Sequence, residues 1–265
     1  MTDKVEQLKD AMRSHGRLAV LFSGGLDSAL LARLAHDALG DHTAALTIDS
    51  AVVPRSEMAV ARQLAQEIGI KHYVLRLNEL EQEHFKVNPP DRCYSCRKVR
   101  DSVAWRWAEG HAFESIADGL SYSDLADYRP GLRAANEDNI WHPFIEHKVS
   151  KDEIREMSRQ LGLSGWDRPS MACLASRFPH GCTVTPSRVE RVDRAEEYLR
   201  GLGFGRVRVR HFPYDLAVVE VDDPVKAITL RGQIVTRLRQ LGFAFVSVDL
   251  EDFASGKMNR TAEPV

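Results

Sequence analysis

The stretch "LAVLFSGGLDSALLARLA", from Leu18 to Ala35, constrains the fold more than any other part of the sequence. A short apolar run ends in Ser-Gly-Gly, and an apolar helical pattern follows, with Leu30, Leu31 and Leu34 on one face. Glycines at the end of a buried strand let the chain turn with its backbone N–H groups facing inward, and the next helix adds its positive N-terminal end. The pattern therefore predicts a strand–loop–helix unit that binds phosphate.

The side chains of this loop predict a metal nucleotide. Ser23 and Ser28 add hydroxyl donors to the backbone N–H groups of Gly24 and Gly25. Asp27 would repel a bare phosphate, so its presence indicates a Mg²⁺ ion between the carboxylate and the phosphate oxygens. A Walker loop would require Gly-Lys-Ser/Thr, which does not occur here. The alternative is a tight turn that binds nothing.

Short apolar runs alternate with helical patterns through the first half of the chain. Strands are predicted at Arg17–Phe22, Ala44–Asp49, His72–Leu77 and Phe113–Asp118, and further helices at Arg55–Ile68 and Val99–Ala108. This alternation predicts an α/β fold with a doubly wound parallel sheet. Ser150 and Glu153 form a capping box for the helix that closes the domain.

The sequence predicts a first domain over residues 1–165, a cysteine-containing connection over 166–186 and a smaller α+β domain over 187–265. The elements predicted in the last part are helices at Ser187–Leu202 and Pro224–Leu241 and strands at Val207–His211, Leu216–Val221 and Phe243–Val248. The proline-rich connection is longer than most loops, and such connections are often functional.

Charge and hydropathy exclude several classes of partner. Lys and Arg number 36 against 38 acidic residues, so a net charge of -2 gives no general attraction for nucleic acid or anionic membranes. No apolar run has the length of a membrane span, and the first residues are polar. We therefore expect a cytoplasmic protein with neither a nucleic-acid nor a membrane partner.

The cysteines indicate a metal centre or catalysis. Cys93 and Cys96 form a C-x-x-C pair, and Cys173 could add a third thiolate. Three thiolates suit a 4Fe-4S cluster with one open iron, whereas structural zinc usually has a fourth ligand. The alternatives are a redox pair or two loop cysteines without a shared function.

Two further anion or nucleotide contacts follow from strand geometry. Asp118 and Gly119 come directly after a predicted strand, at the edge where doubly wound sheets bind ligands, although Asp118 could also cap a turn. In "GRVRVRHF", alternation places Arg206, Arg208 and Arg210 on one face. Arg208 and Arg210 are the candidates for binding a substrate phosphate, and the alternative is a solvated edge strand.

Four motifs resemble known families. "SGGLDS" resembles the loop of PP-loop ATP pyrophosphatases, which cleave ATP to AMP and pyrophosphate. "NPPDRCYSC", "DGLSYSDLADYRPGLRAANE" and "WDRPSMACLASRFPHG" resemble, in order and spacing, the LarE family of ATP-dependent sulfur transferases. This resemblance covers most of the chain. It implies adenylation of pyridinium-3,5-biscarboxylic acid mononucleotide and replacement of AMP by sulfur, for the nickel-pincer nucleotide of lactate racemase.

The resemblance also implies a sulfur source. One branch of the family sacrifices the sulfur of a cysteine matching Cys173, and the other uses three cysteines, matching Cys93, Cys96 and Cys173, to hold a 4Fe-4S cluster. This chain has all three, which favours the cluster branch and a separate sulfide source. The resemblance also implies a homo-oligomer. Cys182 departs from the family pattern, and we expect it to be inert.

Other functions remain open at this stage. A tRNA thiolation enzyme shares the loop but needs a broader basic surface for RNA. An amide-forming ligase shares the loop without needing the cysteines. A nucleotide sensor with a structural zinc would bind ATP without releasing pyrophosphate.

Overall fold

The computed structural model describes residues 2–126, 130–168, 171–251, 253–254 and 257–258. Residues 127–129 and 169–170, which belong to two of the family-like motifs, lie outside the described residues. The helices are α1 (Thr2–Arg13), α2 (Leu26–Leu39), α3 (Arg55–Ile68), α4 (Glu83–Lys86), α5 (Arg92–Gly110), α6 (Pro130–Glu137), α7 (Pro143–Glu146), α8 (Lys151–Gln160), α9 (Pro186–Gly201), α10 (Pro224–Thr229) and α11 (Arg231–Gln240). The strands are β1 (Leu18–Leu21), β2 (Thr43–Asp49), β3 (Lys71–Arg76), β4 (Ser115–Ala117), β5 (Val207–Phe212), β6 (Leu216–Val221) and β7 (Phe245–Val248).

Two units divide the chain, and each contains segments that are distant in sequence. The first comprises the described residues up to Ser50 together with Arg55–Leu77 and Cys93–Met171. The second takes Ala51–Pro54, Asn78–Arg92 and the described residues from Ala172 onward. The domain limits predicted at residues 165 and 187 stay predictions.

The first unit is built on a four-stranded sheet in the order β3-β2-β1-β4. Its three strand pairs are parallel, and Leu18 of β1 lies opposite Thr43 of β2 and Ser115 of β4. Because β2 and β3 lie on one side of β1 and β4 on the other, the strand order reverses between β1 and β4. The predicted doubly wound α/β fold is confirmed, and the loop after β1 lies where such sheets bind ligands.

Apolar clusters cover both faces of this sheet. One cluster joins Leu18 and Val20 to side chains of α1, α2, α3 and α8, and the other joins Ala19 to side chains of α5 and α6. Consecutive residues of β1 therefore point to opposite faces, and both faces are buried. This two-sided burial explains why β1 is a continuous apolar run in the sequence.

Local signals fix several helix ends. The capping box predicted at Ser150 and Glu153 is present at the start of α8. α5 begins at Arg92, well before the predicted start at Val99, so Cys93 and Cys96 lie on a helix. In the described part of the chain, no helix is both long and apolar enough to cross a membrane.

The second unit contains a three-stranded sheet in the order β5-β6-β7. β5 and β6 are antiparallel, β6 and β7 are parallel, and the buried face of α9 carries Val189, Val192, Ala195 and Leu199. The single helix predicted over Pro224–Leu241 is wrong. Leu230 (φ -89°, ψ 10°) separates α10 from α11, in a stretch where Thr229 and Gly232 both have low helix propensity.

Candidate functional site

The Ser-Gly-Gly loop leaves the carboxyl end of β1 and leads into α2. Gly24 has a φ of +78°, and a Cβ built there would lie 2.9 Å from the backbone nitrogen of Ala61 on α3. Only glycine suits this backbone conformation and this close approach. Gly25 then caps α2 with an extended backbone, and its carbonyl accepts the N–H of Ala29 at 2.9 Å.

Two hydroxyls hold the shape of the loop. The buried Ser28 Oγ donates to the Gly25 carbonyl at 2.9 Å and accepts the Ser23 N–H at 3.2 Å. Ser23 Oγ lies 3.2 Å from Ser28 Oγ and accepts the Gly25 N–H at 3.2 Å. These bonds organise the loop from within, and the contacts predicted from the two hydroxyls to phosphate stay predictions.

Asp27 lies in the first turn of α2. A Mg²⁺ ligand in this position would be close to a phosphate bound at the N-terminus of the helix. A carboxylate at the start of a helix is also favoured by the helix dipole. The donor type therefore fits Mg²⁺, and an ion at Asp27 would bring positive charge to phosphates at this helix end.

The loop after β4 lies directly against the loop after β1. A Cβ built on Gly119 would be 2.8 Å from both the carbonyl carbon of Asp27 and the nitrogen of Ser28. The structure thus brings Gly119 to the start of α2, at the point where the strand order reverses. This is the strongest geometric agreement with the predicted site.

Asp118 is the centre of a buried polar network. Its Oδ1 accepts His142 Nδ1–H at 2.7 Å and the Leu120 N–H at 3.1 Å, and its Oδ2 accepts Arg97 Nη2 at 2.7 Å. Burial opposes the charged form, but the His142 hydrogen bond and the Arg97 charge outweigh it, so the pKa of Asp118 is lowered. Asp118 therefore stays ionised and orients its neighbours.

A second carboxylate in the same network behaves differently. Arg97 Nε lies 2.8 Å and 2.7 Å from the two oxygens of Asp101. Burial raises the pKa of Asp101 to about 6. The positive charge of Arg97, which Asp101 shares with Asp118, stabilises the ionised carboxylate by less than burial destabilises it. Burial lowers the pKa of Arg97, but the two carboxylates outweigh it, so this pKa is raised and the guanidinium stays a cation.

His142 is a residue of this network that the sequence interpretation missed. Trp141 pairs with Ala117 of β4, and its carbonyl accepts the Asp118 N–H at 3.0 Å. His142 therefore follows a one-residue extension of the sheet, just as Asp118 follows β4. A strand contact of one residue produces no periodic pattern in the sequence. The only available signal was a weak one, a histidine directly after the apolar residues Ile140 and Trp141.

The cysteines are divided between the two units. Cys93 and Cys96 lie near the start of α5, and the neighbouring Arg97 joins this helix to Asp118. Cys173 belongs to the second unit and precedes a short 3₁₀ turn at Leu174–Arg177, where its carbonyl accepts Ser176 Oγ–H at 2.7 Å. No disulfide links the four cysteines, all of which are described.

The cysteine thiolates are chemically suitable ligands for an iron–sulfur cluster, and Cys93 and Cys96 are one helical turn apart. In the described ranges, however, no group of three or more His, Cys, Asp or Glu side chains is placed to hold a metal ion. The pair fits thiolate ligation by donor type and spacing, and the predicted three-cysteine set stays a prediction.

Arg208 and Arg210 lie on β5 in the second unit. Arg210 is buried and makes a bidentate ion pair with Glu220, at 2.7 Å and 2.9 Å. Arg177 makes a similar pair with Glu196, at 2.6 Å and 3.1 Å, and interacts electrostatically with Cys173. The strand is therefore not a solvated edge.

The positive charge of Arg208 is not neutralised by Glu196 or Glu220, which pair with Arg177 and Arg210. Its guanidinium donates to the Ala254 carbonyl at 2.8 Å and lies 4.2 Å from the Phe253 ring centre. Burial, followed by the charges of Arg210 and Arg177, lowers the pKa of Arg208 to about 10. Three guanidiniums against two carboxylates favour an anion beside Arg208.

The sequence of this chain is similar to those of several known proteins. Residues 5–88 match the asparagine synthase family. A pyridinium-3,5-bisthiocarboxylic acid mononucleotide synthase of Lactiplantibacillus plantarum is 34% identical over 264 residues, covering 98% of this chain and 95% of that protein. Uncharacterised proteins of Synechocystis and Methanocaldococcus jannaschii are 38% and 30% identical, covering 98% and 95% of this chain and 98% of each relative.

The fold and the glycine loop thus define an ATP-using enzyme of the PP-loop superfamily. Within that superfamily, the extent of the similarity shows that the chain belongs to the LarE family of sulfur transferases.

Proposed function

We propose that this enzyme adenylates a carboxylate of pyridinium-3,5-biscarboxylic acid mononucleotide and then replaces AMP with sulfur. The product is a thiocarboxylate on the route to the nickel-pincer nucleotide. The observation that carries the proposal is the approach of Gly119 to Asp27 and Ser28, which supports a nucleotide site at the strand reversal of a LarE-family chain.

In the first step, a substrate carboxylate oxygen attacks the α-phosphorus of ATP, and pyrophosphate leaves. The N-terminus of α2, and the Ser-Gly-Gly loop that leads into it, bind the leaving pyrophosphate. Asp27 would hold Mg²⁺, which would supply positive charge at the phosphate oxygens. A carboxylate is a poor nucleophile, so its orientation beside the α-phosphate provides much of the rate enhancement.

In the second step, sulfide attacks the activated carbonyl carbon, and the C–O bond to AMP breaks. AMP departs with the former carboxylate oxygen, and the carbonyl carbon keeps the sulfur. Arg208 binds the phosphate of the substrate mononucleotide, because its positive charge is the one that the neighbouring carboxylates do not neutralise. Arg210, predicted to share this role, is held by Glu220 and Ser176 and contributes to the site only through its charge.

Cys93, Cys96 and Cys173 are the proposed ligands of a 4Fe-4S cluster, which would supply the sulfide from an external source. The second candidate for the sulfur donor is Cys173 itself, whose Cβ–S bond would break to leave dehydroalanine. Arg177 interacts electrostatically with Cys173, the residue whose sulfur both routes involve.

The experiment measures AMP, pyrophosphate and product mass with protein purified without oxygen, together with its iron content. We expect equal AMP and pyrophosphate, a product in which sulfur replaces oxygen, and about four irons per chain. Cys93→Ser and Cys173→Ser should lose the iron and the repeated turnover, whereas the matched control Cys182→Ser should keep both.

Each alternative has its own signature in the same experiment. Iron-free protein that completes a single turnover and loses the sulfur of Cys173 would establish the sacrificial route. ATP cleavage that is independent of the mononucleotide, or a fully active Cys173→Ser variant, would contradict the proposal.

A further inference from the structure

The imidazole of His142 is a buried group that the proposed reaction does not yet use. Its side chain is only 9% exposed, and it lies at the carboxyl edge of the first unit's sheet, beside Asp118. The Asp118 carboxylate is ionised and can only accept, so His142 Nδ1 carries the hydrogen of their 2.7 Å bond.

The other ring nitrogen points away from Asp118 and is buried. Nε2 has no hydrogen-bond partner among the residues that the structure describes. Buried polar atoms of folded proteins are nearly always paired, because an unpaired one loses its hydration without compensation. An orphaned Nε2 on a ring fixed by an ionised aspartate therefore points to a ligand.

The surroundings identify the class of that ligand. A Cβ built on Gly119 would lie 2.8 Å from the start of α2. Asp118, which holds the His142 ring, is the residue directly before Gly119, so the ring is held close to the predicted phosphate loop. The helix N-terminus takes the pyrophosphate end of a nucleotide. In doubly wound sheets the rest of the nucleotide lies along the carboxyl edge, where His142 is found.

We propose that His142 is a nucleotide-binding residue, and that its Nε2 hydrogen-bonds the AMP half of ATP. The inference rests on the use of ATP by this site and is independent of the sulfur acceptor.

Two substitutions separate the two ring nitrogens. In His142→Asn, the amide nitrogen replaces Nδ1 and keeps the bond to Asp118, but nothing replaces Nε2. In His142→Gln, the longer amide reaches the place of Nε2, and the Asp118 bond is lost. Calorimetry with Mg²⁺ measures the affinity of each for α,β-methylene-ATP and for inorganic pyrophosphate, and urea unfolding checks that each variant is folded.

We expect His142→Asn to bind the ATP analogue about 5- to 20-fold more weakly, with unchanged affinity for pyrophosphate. His142→Gln should bind the analogue more tightly than His142→Asn while being the less stable protein. The inference would be overturned if His142→Asn bound the ATP analogue as tightly as the wild type, or if it lost as much affinity for pyrophosphate as for the analogue. It would also be overturned if His142→Gln bound the analogue no more tightly than His142→Asn.

The same measurements distinguish this inference from the proposed function. Wild-type protein that binds neither ligand would refute the nucleotide site and both proposals with it. Normal binding without sulfur transfer to the mononucleotide would contradict the proposed function alone.

Discussion

Gly24 is the residue whose identity the loop constrains most. It combines a positive φ of +78° with a built Cβ at 2.9 Å from Ala61 N, whereas Gly162 combines a φ of +68° with open space. Substitution of either glycine therefore causes backbone strain, but only substitution of Gly24 also causes a steric clash. At Gly24, any side chain must also displace α3 from the loop.

We predict that Gly24→Ala loses more stability than Gly162→Ala. The left-handed conformation costs either variant about 1–2 kcal/mol, and overpacking against α3 costs Gly24→Ala roughly 1–3 kcal/mol more. Urea unfolding measures the difference, and pyrophosphate affinity should fall only in Gly24→Ala. Equal losses in the two variants would show that the approach to Ala61 does not constrain the loop.

At the scale of elements, α5 joins the cysteine pair to the nucleotide edge through Arg97. This guanidinium faces Asp101 on its own helix and Asp118 after β4. Asp101 and Asp118 thereby share one guanidinium, and the pKa of Asp101 is raised to about 6 from 3.8.

The raised pKa predicts how stability depends on pH. A carboxyl group with a higher pKa in the folded state binds its proton more tightly there, so its ionisation opposes folding above about pH 6. As the pH falls from about 7 to about 4, wild-type protein should gain up to about 3 kcal/mol relative to Asp101→Asn.

Urea unfolding of both proteins at several pH values measures this gain. Asp10→Asn, which changes an exposed carboxylate on α1, is the control and should track the wild type. A constant difference between wild type and Asp101→Asn over this range would contradict the assigned pKa.

Sequence patterns predicted elements well where a local rule determines them. β1 is recognisable because both of its faces are buried, and α8 because Ser150 and Glu153 cap it. The break at Leu230 was missed because the apolar pattern continues across it. His142 was missed, and so was the pairing of Arg210 with Glu220, because these contacts depend on strand pairing and leave little local signal.

At the scale of the whole molecule, the proposed chemistry draws on both units. The phosphate loop, Asp118, Cys93 and Cys96 belong to the first, and Cys173 and the arginines of β5 belong to the second. The first unit thus contains the glycine loop at the strand reversal, and the second contains Cys173 and the arginines proposed to bind an anion.

The central claim is that a substrate carboxylate attacks the α-phosphorus of ATP before sulfur enters. The most direct test uses mononucleotide whose carboxylate oxygens are labelled with oxygen-18, followed by mass spectrometry of AMP and pyrophosphate. The account predicts one labelled oxygen in each AMP, none in pyrophosphate, and sulfur in place of that oxygen in the product. Unlabelled AMP from a reaction that forms the thiocarboxylate would contradict it.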